Sequence, residues 1–197
     1  GHRACSMMRI MPGSTSTKLT YEDFLLLPDD GRRHEIIDGE HYASPSPKTK
    51  HQSISALLIT AFRNFLREHP AGHAWAAPLD VVFSDTDVVE PDLVYVSNGR
   101  AAIITEQNIQ GPPDLVVEII SVGSRRTDEM IKRKLYERFG VGEYWIIDPT
   151  LETVKVYRRV EGAFVRAEEL TAEAEDTLTT PLLPGLRIDL REMFASL

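Results

Sequence analysis

The spacing of apolar residues changes along the chain, and each change marks a different element. From His51 onward, Ile54, Leu57, Leu58, Ala61, Phe62, Phe65 and Leu66 recur every three or four positions. Such a stripe lies on one side of an α-helix, so an amphipathic helix is expected over about 51–68, stopped by Pro70 and Gly72. Leu115 to Ile120 shows a different pattern, an apolar run broken by Glu118 and preceded by Asp114. It predicts a core strand over about 114–120. A short Val122-Gly123-Ser124 connection leads into a charged stretch with an apolar stripe of Ile131, Leu135 and Phe139. That stretch predicts a helix over about 124–139, with Ser124 as N-cap and Gly140 as C-cap.

The remaining elements follow from turns and caps. Thr20 with Asp23 has the spacing of a capping box, predicting a short helix over about 20–27. Asp38-Gly39 joins two β-prone runs, a hairpin signal that places strands at about 33–37 and 40–44. Two strands are expected at about 76–84 and 88–97, joined at Asp85-Thr86-Asp87, and residues 100–108 lie between a loop and a short helix. A strand over about 143–148 is followed by a hairpin, about 153–159 and 163–169, around Glu161-Gly162. After Pro181 and Pro184 a last short helix begins at Asp189. There is no internal repeat beyond Pro-Asp-Leu-Val at 91–94 and 113–116. The order predicts an α+β fold with a mixed sheet.

Composition narrows the setting. The chain has 197 residues, 42% apolar and 26% charged, which suits one domain, expected over 19–197. Residues 1–18 lack periodicity and read as a tag remnant followed by a loose N-terminus. They hold the chain's one cysteine, Cys5, which rules out an intramolecular disulfide and a cysteine-based zinc site. No secretory signal is visible and no apolar run approaches the roughly 20 residues of a membrane helix, so a cytoplasmic protein without a membrane partner is expected. A net charge of −8 argues against a broad basic surface for nucleic acid, but it fits a carboxylate cluster awaiting a cation. Phosphate-loop and dinucleotide glycine patterns are absent, as are HExxH and a nucleophile elbow.

The acids carry the chemistry. Side chains alternate along a strand, so Asp114, Val116, Glu118 and Ile120 share one face. Asp114 and Glu118 lie roughly 13 Å apart and do not share an ion easily; a neighbouring strand is only about 4.8 Å away. Asp92, which opens the run Leu93–Val96, is the natural partner, with Glu90 on its side. On the following helix Asp128, Lys132 and Tyr136 are spaced by four along one face. Glu35 and His51 are secondary candidates, the first as ligand or outer acid, the second for phosphate or water. Each has a plainer reading: Glu118 paired with an arginine or a backbone donor, Asp92 a strand-entry aspartate, Lys132 an exposed pair with Asp128, His51 a helix-terminal histidine. Trp75 and Trp145 read as core.

The pieces GRRHEIIDGE, SPSPKTKHQ, VVEPDLVYVS, PDLVVEIIS, Asp128–Lys132–Tyr136, GVGEYWIIDP and PLLPGL together resemble the Uma-two endonucleases, within the PD-(D/E)XK nuclease superfamily. The resemblance covers about 19–194. It implies a restriction endonuclease-like core, a central mixed β-sheet flanked by helices, with extra N- and C-terminal hairpins. It implies Asp92 and Glu118 as ligands of Mg²⁺ or Mn²⁺, DNA as substrate and a homodimer. The superfamily's lysine position after Glu118 is occupied by Ile120, so the resemblance transfers that role to Lys132. Glu35 and His51 match an acid and a histidine of the family. The alternative is a catalytically inactive module on this fold that binds DNA or protein.

Overall fold

The computed structural model describes residues 17–195. Of the expected loose N-terminus, residues 1–16, with Cys5, lie outside them. Thr20 caps one helical turn, α1 (Tyr21–Phe24): its hydroxyl accepts from the Asp23 amide while Asp23 Oδ2 accepts from the Thr20 amide at 2.8 Å. β1 (Arg33–Ile37) and β2 (Glu40–Ser44) form the expected hairpin, with Asp38 and Gly39 both at positive φ, as a tight two-residue turn requires. α2 (Thr49–Glu68) buries His51, Ile54, Leu58, Phe62 and Leu66, the stripe read from the sequence.

The next region departs from expectation. In place of two long strands the chain forms four: β3 (Gly72–Ala76), β4 (Val81–Ser84), β5 (Asp87–Val89) and β6 (Leu93–Ser97). Pro78 and Pro91 fall at the breaks, and proline lacks the N–H that would continue a ladder. Each break is also a change of sheet. A 3₁₀ turn (Asn98–Ile103) and β7 (Ile109–Gln110) follow.

β8 (Leu115–Ile119) is buried at every position. A π-helical turn, Thr127–Lys132, runs into α3 (Arg133–Phe139), which ends at Gly140 with φ +87°. β9 (Glu143–Asp148), β10 (Thr153–Val160) and β11 (Ala163–Thr171) complete the larger sheet. β12 (Thr177–Thr179) and β13 (Arg187–Asp189) make a small separate sheet that the proline-broken tail did not announce. α4 (Leu190–Ala195) begins as expected at Asp189, whose Oδ1 accepts from the Glu192 amide at 2.9 Å.

The fold is mixed α+β. A six-stranded sheet, β11-β10-β9-β8-β6-β3, is antiparallel except for the β8–β9 pair; a five-stranded sheet runs β2-β1-β5-β4-β7. Thus the N-terminal hairpin belongs to the second sheet, and the C-terminal hairpin extends the first. Alternation along β8 sorts its side chains. Leu115, Val117 and Ile119 pack with Ile54, Leu58 and Phe62 of α2, while Val116 and Ile120 pack with Leu135 and Tyr136 of α3. Glu118 is therefore aimed at the α3 side. No helix among the described residues is long and apolar enough to cross a membrane.

Candidate active site

Glu118 is 2% exposed, in the middle of an apolar strand. An unpaired carboxylate there would be costly, and its partners come from the next helix. Lys132 Nζ donates to Glu118 Oε1 at 2.9 Å, and Tyr136 Oη donates to the same oxygen at 2.6 Å. The same ammonium donates to Glu35 Oε1 at 2.8 Å, and the Glu90 amide donates to that oxygen too. Lys132 thus ties β1 of the small sheet to β8 of the large one. Its side chain is 4% exposed, so the solvated pair with Asp128 does not form. Instead Asp128 Oδ2 accepts from Ser124 Oγ at 2.6 Å. Asp128 and Lys132 both lie in the π-helical turn and border the same cavity, where the ammonium is taken by the two glutamates.

Asp92 sits just before β6 and is joined to β8 through the main chain: its Oδ2 accepts from the Ile119 amide at 2.6 Å. Its Oδ1 accepts from Arg33 Nη2 at 2.8 Å and lies 3.3 Å from His51 Nε2. His51 Nδ1, buried in the first turn of α2, has no hydrogen-bond partner. Asp92, Glu118, Asp128, Lys132, His51 and Arg33 line one cavity of about 60 Å³, walled also by the 44–47 loop. That is room for a few water molecules or a partly hydrated ion. Glu35 lines an adjoining cavity of about 190 Å³ with Asp128 and Lys132.

The electrostatics are unbalanced. Glu35, Asp92, Glu118 and Asp128 face two fixed cations, Arg33 and Lys132; four against two leaves an excess of two negative charges when all are ionised. Burial pushes the Glu118 carboxyl up to about 8, against the pull of Lys132, with Asp128, Asp92 and Glu35 adding to the rise. Burial likewise raises Asp128 to about 6, against Lys132 and Ser124. Burial acts the same way on Asp92, but His51, Arg33 and the Ile119 amide outweigh it and bring its carboxyl down to about 2. Burial opposes the charge on Lys132, yet Glu118, Glu35 and Asp128 hold it well above the ordinary lysine range.

Do these residues fit a divalent cation? Among the described residues no cluster of three or more His, Cys, Asp or Glu side chains is arranged to enclose one. Three carboxylates, those of Asp92, Glu118 and Asp128, do border one cavity and offer hard oxygen donors. That donor set fits an open site in which the acids of the chain would supply only part of an ion's shell.

The structure therefore brings Asp92, Glu118, Lys132, Glu35 and His51 together from five segments of the chain. It leaves two other acids out. Asp114 accepts from the Ser97 amide at 2.6 Å and meets Arg100 at 3.3 Å. Glu90 faces Asp80, and burial, with that neighbour, lifts it to about 7. Arg33 was missed. Its one signal was the alternation in Arg33-His34-Glu35, which puts the arginine on the same face of β1 as Glu35.

A family model described as "Uma2: Putative restriction endonuclease" matches residues 21–191. The chain belongs to the Uma2 family. Among solved structures, a putative nuclease of the DUF820 group from Anabaena variabilis superposes with a TM-score of 0.74 at 23% identity, covering 90% of this chain and 98% of that one. At that identity the likeness establishes a shared fold, and the Uma2 chain and the Anabaena protein coincide over almost their whole lengths. The type IIG restriction endonuclease BpuSI gives a partial match, TM-score 0.39 and 15% identity, over 62% of this chain and 13% of that much longer one. No curated protein matches the sequence.

Proposed function

We propose that this Uma2 protein is a nuclease that hydrolyses phosphodiester bonds of DNA with Mg²⁺ or Mn²⁺. One observation carries the reading: an acid before β6, an acid within β8 and a lysine from the following helix line a single cavity. Asp92 and Glu118 would hold the ion, with a backbone carbonyl beside Glu118. When bound, the ion supplies Lewis acidity at the scissile phosphate and lowers the pKa of the attacking water. The chain's own residues do the rest. Lys132, fixed by Glu35 and Glu118, presents positive charge where charge develops on the phosphate. His51 orients Asp92 and stands beside the same cavity, where it would meet phosphate or water. Glu35 keeps the lysine pointed inward. The 44–47 loop and the β8–α3 connection wall the cavity and limit water. Action as a homodimer belongs to the same reading, and light scattering of the purified protein with and without DNA tests it.

The test is cleavage of plasmid and oligonucleotide DNA with Mg²⁺, Mn²⁺ or EDTA. Metal-dependent cleavage that Asp92→Asn and Glu118→Gln each abolish is the expected result. Cleavage that survives either substitution rejects the mechanism. A second reading, an inactive module that binds DNA or protein, draws on the ion pairs Arg33–Asp92 and Lys132–Glu118, which already give each acid a cation. It predicts no change in melting temperature at millimolar Mn²⁺, where a true site would raise it.

A further inference from the structure

Arg33 has no task in the reaction just described, although its guanidinium occupies the acid assigned to the metal. Both carboxylate oxygens of Asp92 already have partners. Oδ2 takes the Ile119 amide, which cannot leave without moving β8. Oδ1 is shared by Arg33 at 2.8 Å and His51 at 3.3 Å. A divalent ion bonds a carboxylate oxygen at roughly 2.0–2.6 Å, so it cannot share Oδ1 with a guanidinium at hydrogen-bond distance without strong repulsion. For a divalent ion to take Oδ1, one of the two must withdraw. Arg33 is the freer: its side chain is 19% exposed, against 9% for His51, and it stands at the end of β1 while His51 is fixed in a helix. Withdrawn from Asp92, it remains beside a cavity walled by Gly31, Ser44, Ser46 and Pro47, where its planar fork matches the oxygens of a phosphate.

We infer that Arg33 is a resident counter-ion of Asp92 that yields the carboxylate to the divalent cation and then binds the substrate phosphodiester. This rests on the nuclease reading. It makes Arg33 a competitor for metal before substrate arrives and a phosphate ligand afterwards. The free protein is thereby kept from leaving Asp92 without its cation, which would cost stability. It also gives the protein a built-in reason to bind metal better when nucleic acid is present, because the phosphate receives the displaced cation.

The experiment compares wild type with Arg33→Met, which keeps the apolar stem, by calorimetric titration with Mn²⁺ alone. Affinity for a short phosphorothioate oligonucleotide in Ca²⁺ is measured alongside. Arg33→Met is expected to bind Mn²⁺ roughly tenfold tighter, since a competing cation is gone, and the oligonucleotide roughly tenfold weaker. Arg33→Lys lies between the two. Unchanged or weaker Mn²⁺ binding in Arg33→Met overturns the inference while leaving the nuclease reading intact. Absence of Mn²⁺ binding in wild type overturns both. Should Arg33→Met not fold, the wild type still decides: the guanidinium resonance lost in Arg33→Lys must shift on adding Mg²⁺, and a resonance that stays in place rejects the exchange.

Discussion

Lys132 Nζ lies 2.9 Å from Glu118 Oε1, so the helix that follows β8 returns its lysine to the acid on that strand. The pair is buried, and Glu35 shares the same ammonium. Removing the cation leaves carboxylates without a partner in the protein interior. Lys132→Met is expected to cost about 3–5 kcal/mol, read from urea denaturation. Replacing Glu35 by Gln in the same chain should recover part of that loss, because the two changes act on one network. Additive costs in the double variant, or a loss near zero in the single one, would mean that the ammonium does not bridge the two sheets.

Asp92 and Asp114 are both aspartates that follow proline at the entrance to a core strand, yet only Asp92 reaches the cavity. Asp92→Asn should lower cleavage about a hundredfold or more and abolish the Mn²⁺-dependent rise in melting temperature. Asp114→Asn keeps the backbone contact to Ser97 within reach and stands outside the cavity. It should retain both the cleavage rate and the metal response. EDTA should bring wild type to the level of Asp92→Asn. Equal losses in the two variants would place the chemistry elsewhere.

Tyr136 tests the support behind Glu118. Its hydroxyl donates to Glu118 Oε1 at 2.6 Å, and its ring packs edge-on to Tyr144 with centroids 4.9 Å apart. Tyr136→Phe keeps the ring and removes the donor. Because groups that orient a metal-binding carboxylate tune its affinity by about 10–100-fold, Mn²⁺ binding should weaken by roughly tenfold while the fold persists. The measurement is Mn²⁺ titration beside a far-ultraviolet spectrum; unaltered affinity would show that Lys132 alone positions the acid.

How far these features were legible depended on the range of the interaction. The stripe of α2, the Asp38-Gly39 hairpin and the alternation along β8 are local patterns, and the structure bears them out at nearly the expected residues. The division of the 76–97 region was signalled by Pro78 and Pro91 but overridden by the surrounding β-branched run. The faces of β8 told where Glu118 points, and Asp92 followed as the partner on a neighbouring strand. The pairing of Arg33 with Asp92 and the bridging of Glu35 by Lys132 were not legible. They depend on how the smaller sheet docks beside α3, a contact between residues 97 positions apart. The burial of Lys132 was hidden too, because its spacing from Asp128 has the form of an ordinary surface pair.

Glu143 offers a test remote from the candidate site. It opens β9, buried, with Oε1 accepting from Trp145 Nε1 at 2.7 Å and Oε2 from Thr180 Oγ1 at 2.9 Å. Burial raises its carboxyl above the ordinary glutamate value, opposed by Trp145, Thr180 and Arg158. In the unfolded chain it titrates normally. Between those two values the folded state binds more protons than the unfolded state, so this group's contribution to stability falls as pH rises through that window. Glu143→Gln cannot titrate and lacks the dependence. It also turns an amide toward Arg158, which should make it less stable than wild type at low pH. The stability gap between the two proteins is therefore expected to narrow as pH is raised above the ordinary glutamate value of about 4, measured by denaturation followed through tryptophan fluorescence. A gap that stays constant or widens over that range would mean that the carboxylate keeps its charge in the fold without penalty.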